Sequence, residues 1–330
     1  MAPKVILFGV GMIGQSIVRI LDDRGIEIVG AIDVNPNLSG LDLGEVAGLD
    51  RPLGVPIMAD AIALLAETEA NVAIMATTAE LSELQSDYRA CIDARVNVIG
   101  LGAGYTLGEA TLSASLNELA VANEVTISST GMHDAFGVNI TACLAAACER
   151  IDAVNVTVEC DLDHEGQGPL ELFGIGQPAD LVREFISSNP DILDACAINA
   201  EYPFFSLGLE LKDLKGGFEV KTAETDFTSI GGVSVKAGEV CGVVLSGRAT
   251  SAEGVVCEVS YNFVLYQKGE DPSCPIEWQI RGLPNLDVKL ERADVHRLTC
   301  VQLVNRAHDV ICARPGLLRT DELGRPLYRS

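Results

Sequence analysis

Three glycines in the run Gly9-Val10-Gly11-Met12-Ile13-Gly14 form the stretch of this 330-residue chain whose spacing points most directly to chemistry. An apolar run, residues 4–8, precedes them. Ile17, Val18, Ile20 and Leu21 follow at helical spacing. That order predicts strand, tight turn and helix. Gly9 permits the turn, Gly11 leaves the backbone open to a pyrophosphate, and Gly14 lets the helix lie close on the strand. The helix N-terminus adds free N–H groups and a partial positive charge. Met12 and Ile13, inside the turn, are counted with the glycines as cofactor-binding residues. A second apolar run, residues 26–32, ends at Asp33, nineteen residues after Gly14. An acid at that point accepts hydrogen bonds from the adenosine ribose hydroxyls. No Lys or Arg occurs from Val34 to Asp50, so a 2′-phosphate has no local partner. NAD is therefore the expected cofactor, with NADP possible.

Hydride transfer also needs a group that handles a proton on nitrogen or oxygen. His133 and Asp134 fall between the two predicted domains, at the start of a helix, where a cleft is expected. His is the side chain most easily placed to titrate near neutral pH. Asp134 can bind an ammonium group or cap the helix. Thr77 and Thr78 end a buried strand and can line the dinucleotide or cap the strand. Further candidates are His296 in the last helix, Asn305, and Tyr105 after a glycine-rich strand end. Glu159, Asp161, Asp163 and His164 cluster in a segment that also reads as a solvated loop. His308 reads as a charge complement at a helix C-terminus.

The elements that must position these residues follow from periodicity. Strands at about 55–58, 71–76, 96–99 and 125–128 alternate with helices at 60–67, 80–94 and 110–123, which predicts a doubly wound parallel sheet over residues 1–130. A long apolar helix is expected at 135–149. From Ile151 the apolar residues recur with period two, interrupted by a helix at about 178–187. That predicts an α+β substrate and dimerisation domain with a mixed sheet over residues 131–293. A last helix, about 294–309, packs back on the first domain with the tail to 330. Pro315-Gly316 reads as the end of regular structure.

Apolar residues make up 48% of the chain and aromatic ones 5%, so the cores should be aliphatic. A formal net charge of −24 argues against nucleic acid and anionic membrane as partners. None of the ten cysteines forms a C-x-x-C pair, no metal-ligand spacing is visible, and no apolar run approaches membrane-spanning length. Buried thiols, a reducing cytoplasm and no signal peptide are the expectation.

The chain resembles the 2,4-diaminopentanoate dehydrogenases and the native amine dehydrogenases similar to them, distant relatives of dihydrodipicolinate reductase. The resemblance is carried by GVGMIG at 9–14, AIDVNPNLSGLDLGEVAGLD at 31–50, ACIDARVNVI at 90–99, Val304-Asn305, and Ala313-Arg-Pro-Gly-Leu317. It implies NAD(P)-dependent oxidative deamination of a small amine through an imine, and a homodimer built through the second domain's sheet. Asn305, matched to the family's closing helix, can contact substrate or hydrogen-bond the core. Two departures stand out. The family's catalytic Glu after the Val-Ile strand has no counterpart in Gly100-Leu-Gly-Ala-Gly-Tyr105. The family's Gly-x-Asn-Pro corresponds to Gly131-Met132-His133-Asp134. The lysine-bearing motif of the dihydrodipicolinate reductases is absent. An alcohol/carbonyl substrate served by His133, and a cofactor-binding protein without catalysis, stand as alternatives.

Overall fold

The computed structural model describes residues 2–77, 84–101, 110–164, 166–189 and 191–329. The chain divides into two compact units, Met1–Ala135 with Arg297–Ser330, and Phe136–His296.

In the first unit β1 (Lys4–Phe8), α1 (Met12–Asp23), β2 (Glu27–Ile32), α2 (Leu43–Val46), β3 (Ile57–Met58), α3 (Ala61–Glu67), β4 (Val72–Met75), α4 (Gln85–Asp93), β5 (Asn97–Gly100), α5 (Ala110–Ala122) and β6 (Thr126–Ser129) follow one another. A closing strand, Gly316–Leu318, completes a seven-stranded sheet in the order closing strand–β6–β5–β4–β1–β2–β3. Every pairing in it is parallel. The strand order reverses beside β1, the switch point at which such sheets bind ligands. Side chains alternate between two cores. Val5 and Leu7 pack with Ile17, Val18 and Leu21 of α1, and with Leu303, Val304 and Ala307 of the closing helix, Val295–Cys312. Ile6 and Phe8 pack with Leu64, Tyr88 and Leu116.

The closing strand corrects the expectation that Pro315-Gly316 ends regular structure. Gly316 has φ +125°, and a Cβ there would stand 2.8 Å from Asn117 Oδ1. That oxygen accepts the Leu317 N–H at 2.9 Å. The buried hydroxyls of β6 explain why the strand needs this partner. Thr126 Oγ1 donates to the Arg314 carbonyl, and Ser128 Oγ to the Leu318 carbonyl, each at 2.9 Å. The tail both covers this edge of β6 and satisfies its hydroxyls.

One carboxylate organises the connection between β2 and β3. Asp42 caps α2 and accepts N–H bonds from Gly44, Glu45, Leu53, Gly54 and Val55. Its slight burial raises its pKa, but the backbone N–H groups outweigh this and hold the carboxyl below its usual value.

The second unit contains α6 (Thr141–Ala146), β7 (Arg150–Asp161), α7 (Gln167–Leu172), α8 (Ala179–Ser188), α9 (Asp191–Ser206), β8 (Leu211–Thr222), a ribbon of β9 (Phe227–Thr228) and β10 (Ser234–Val235), β11 (Val240–Ser251), β12 (Val256–Val264), β13 (Ile276–Leu283) and β14 (Leu286–Leu290). Its six-stranded sheet has the order β14–β13–β7–β12–β11–β8. Only β7 and β12 pair in parallel, so the sheet is mixed, as the period-two pattern predicts. α9 lies on one face, against two glycines. A Cβ on Gly216 would fall 1.7 Å from the Leu193 carbonyl oxygen, and one on Gly247 2.6 Å from the Ala200 nitrogen. α9 has no sequence-level counterpart: it is apolar on most sides and holds Pro203, so its period is hidden. The opposite sheet face is polar, with Asn155, Thr157, Glu258, Ser260 and Asn262 half-buried and Arg248 exposed.

The single helix expected at 135–149 is instead a π-helix, His133–Ile140, followed by α6. The expectation of ten buried thiols is also corrected: Cys143 and Cys312 are exposed, and no disulfide joins any of the ten. Among the described residues no helix is long and apolar enough to cross a membrane. Replacing Asp42 by Ala should lower stability by about 1–2 kcal/mol, the usual cost of losing such a cap, seen as a lower urea midpoint. An unchanged midpoint would mean that water replaces the carboxylate without cost.

Candidate functional site

The turn after β1 is built by two glycines that the chain itself requires and one that it does not. Gly9 has φ +88°, and a Cβ there would lie 2.7 Å from the Ala76 carbonyl oxygen. A Cβ on Gly14 would stand 2.0 Å from the Gly9 carbonyl oxygen. A Cβ on Gly11, by contrast, meets nothing within 4 Å among the described residues. Its outer side is open, at the N-cap of a helix with no side-chain cap and no acid in its first turn. Met12 opens that turn and is 44% exposed, while Ile13 is half-buried.

Asp33 faces the same turn. Its Oδ2 accepts the Val10 N–H at 2.7 Å and its Oδ1 the Asn35 N–H at 2.8 Å. A carboxylate has about four acceptor positions, so lone pairs remain for ribose hydroxyls. Thr77 stands beside Gly9, its Cγ2 3.1 Å from a Cβ built there. The Thr77 hydroxyl is buried with no hydrogen-bond partner among the described residues. An open glycine, an uncapped helix terminus, a carboxylate at the second strand and an orphaned hydroxyl together fit a dinucleotide. Thr78 and Tyr105 lie outside the described residues.

β6 leads through Thr130, whose N–H donates to the Gly100 carbonyl at 2.9 Å, into the segment carrying His133. His133 is half-buried and folds back on Gly131, where a Cβ would lie 3.1 Å from its Nδ1. Burial pushes its pKa down to about 4, against a smaller upward pull from Asp134. This corrects the expectation of titration near neutrality: at pH 7 the imidazole is neutral.

Asp134 departs from the ammonium-site expectation. Its side chain is wholly buried. Arg306 Nε donates to its Oδ2 at 2.6 Å, Arg306 Nη2 to its Oδ1 at 2.8 Å, and Thr130 Oγ1 to its Oδ2 at 2.9 Å. It is engaged by a guanidinium rather than presented to a substrate ammonium. Burial works against the charge of Arg306, but Asp134 and Asp309 outweigh it and raise its pKa. Arg306 has no place among the sequence candidates. Its only sequence signal is an Arg three residues before an Asp in the closing helix.

For Asn305 the structure shows a hydrogen bond within the fold. The residue is buried, and its Oδ1 accepts Arg24 Nη1 at 2.7 Å. Arg24 is the C-cap of α1, at the end away from the glycines. His296, half-buried in the first turn of the closing helix, belongs to the second unit. Within that unit the acidic cluster is not a solvated loop. The Tyr266 hydroxyl donates to Glu159, Ser229 Oγ to Asp163 at 2.7 Å, and the Gly231 N–H to Asp163 at 2.8 Å. Burial raises the Asp161 pKa, and its Oδ2 stands 3.4 Å from His164 Nδ1.

No family model matches the chain. A solved amine dehydrogenase from Mycobacterium smegmatis is 30% identical, with a TM-score of 0.90, over 100% of this chain and 98% of that one. The chain belongs to the amine dehydrogenase family. It is thereby an oxidoreductase, with the Rossmann-type parallel sheet and second mixed sheet described above. A structure of Lactobacillus casei myo-inositol dehydrogenase in complex with NAD(H) and myo-inositol shares the fold at 11% identity, with a TM-score of 0.62, over 98% of this chain and 91% of that one. The 4-hydroxy-tetrahydrodipicolinate reductase of Synechocystis sp. is 32% identical over 93 residues, 27% of this chain. The chain spans 34% of the length of that reductase.

The lowered pKa of His133 sets a pH dependence. Between about 4 and its ordinary 6.5 the folded chain binds fewer protons at this ring than the unfolded chain does. The stability linked to a neutral ring is complete above pH 6.5 and is lost as pH falls toward 4. Urea midpoints at pH 7 and pH 5 should therefore differ less for His133→Gln than for the native chain. Equal differences would place the ring in an environment that tolerates its charge.

Proposed function

We propose that this amine dehydrogenase family member oxidises a small amine with NAD and runs the reverse reductive amination. The observation that carries the reading is the open outer side of Gly11 at an uncapped helix N-terminus, with Asp33 beside it. The nicotinamide group supplies a hydride acceptor or donor. The balanced reaction converts a neutral amine and NAD to an iminium and NADH. Water then converts the iminium to a carbonyl compound and ammonium. Asp33 binds the ribose hydroxyls. The first turn of α1 receives the pyrophosphate, and Thr77 gives its hydroxyl to the cofactor.

His133 handles the proton. A neutral imidazole offers a lone pair to an amine N–H, which keeps the nitrogen lone pair available as hydride leaves the adjacent carbon. It can then accept a proton from the water that adds to the iminium carbon, a proton far more acidic during that attack than in bulk water. A ring with its pKa near 4 does not hold the proton, so the proton passes on to solvent or product.

Two further readings belong with this one. The polar face of the second unit's sheet suits contact with a second copy, because Arg248 and Glu258, 2.8 Å apart, present both charges on it. The ten cysteines without a disulfide suit a reducing cytoplasm. The function is tested by following reduced-cofactor absorbance with a panel of amines, amino alcohols and hydroxy compounds, using NAD and NADP. Turnover of amines with NAD is expected, and His133→Ala should lower it by about tenfold or more with cofactor affinity unchanged. Turnover of hydroxy compounds alone would replace the amine with an alcohol/carbonyl pair.

A further inference from the structure

We infer that Arg306 is a positioning residue for His133, acting through Asp134, with Asp309 and Arg329 as the outer links of the same chain of contacts. The inference rests on the proton-handling role proposed for His133.

The contacts form a line of alternating charge that starts near the C-terminus. Arg329 Nη2 donates to Asp309 Oδ1 at 2.5 Å, and Arg306 Nη1 donates to Asp309 Oδ2 at 2.9 Å. Arg306 then grips Asp134 with two N–H groups and gives a further bond to the Gly324 carbonyl at 2.9 Å. Asp134 is the residue next to His133. The side chains of Arg306 and Asp134 are both 0% exposed.

Stability alone does not account for this arrangement. A buried ion pair is often matched or bettered by apolar residues of similar volume, because desolvation cancels most of the attraction. What a bidentate pair does supply is direction: a planar guanidinium on a carboxylate fixes the orientation of both. That matters here because Asp134 lies in the first turn of a π-helix, an uncommon form frequent at functional sites. Holding Asp134 from the closing helix fixes the rotation of that turn. The imidazole of His133 lies against Gly131, where a Cβ would stand 3.1 Å from its Nδ1. Misplacing a reacting group by about 1 Å can cost a hundredfold in rate, so this restraint would register as turnover.

The outer links allow a test that leaves the buried pair in place, since Asp309 is 11% exposed and Arg329 30%. Asp309→Asn, Arg329→Gln and Arg306→Lys are made in the full chain, alone and combined with His133→Ala. Turnover is measured with the best amine of the panel, alongside NAD affinity and the thermal midpoint. The outer variants should lower kcat by about three- to tenfold, and Arg306→Lys by about thirtyfold or more, with NAD affinity unchanged. In the His133→Ala background the same changes should have no further effect on kcat. The His133 ring resonances, picked out among four histidines by difference from His133→Ala, should shift or broaden in both outer variants. Losses that multiply with His133→Ala, or ring resonances and kcat left unchanged while only the thermal midpoint falls, would make the network purely structural and overturn the inference. Those outcomes are read from the outer variants if Arg306→Lys fails to fold. An undiminished kcat in His133→Ala would instead remove the proton-handling role itself, and this inference with it.

Discussion

The close approach of α1 to the end of β1 is the constraint on which the first unit depends. Helix and strand are so near that a Cβ on Gly14 would stand 2.0 Å from the Gly9 carbonyl oxygen. Such contact forces glycine at both points and aims the helix N-terminus at the carboxyl edge of the sheet. The partial positive charge of that terminus is met by no side chain of its own. Asp33 answers the geometry from β2 by accepting the Val10 N–H, so the turn is braced from both sides. The same atoms that close the fold therefore leave an uncapped helix N-terminus at the switch point.

The tail is the second structural dependence. β6 carries hydroxyls where its neighbours carry aliphatic side chains, and the segment after the closing helix satisfies them. Thr320 Oγ1 likewise donates to the Ser129 carbonyl at 3.0 Å. The closing helix contributes apolar residues to the core of the opening strands and Arg306 to the buried ion pair. Thr126 and Ser128 of the polar strand find their partners in the tail, and Arg306 of the charged helix in Asp134, Asp309 and Gly324, so these buried groups are paired.

How much of this was legible in the sequence follows from the range of the interactions. The glycine turn, Asp33 and the alternating elements are local signals: each depends on a few adjacent residues, and the structure places them as the pattern predicts. The period-two runs of the second unit are equally local. The residues that were misassigned or left open depend on partners far away in sequence. Asp134 looked like a cap or an ammonium site because Arg306 lies 172 residues on. Asn305 reads equally as a substrate contact or a core hydrogen-bonding group because Arg24 lies 281 residues back. The pKa of His133 depends on burial, which no spacing reveals. α9 escaped because a helix packed on glycines in a sheet needs no polar face, and Gly316 escaped because a turn residue also served as a strand start.

The central claim is that the notch at Gly11 exists for a dinucleotide and for no internal purpose. Gly11 has φ −71°, a conformation open to any residue, and a Cβ there touches nothing within 4 Å among the described residues. Calorimetric titration of NAD into Gly11→Val beside the native chain tests this directly. The account predicts an unchanged thermal midpoint and an affinity weakened by about a hundredfold, close to 3 kcal/mol. Equal affinity in the folded variant would contradict it.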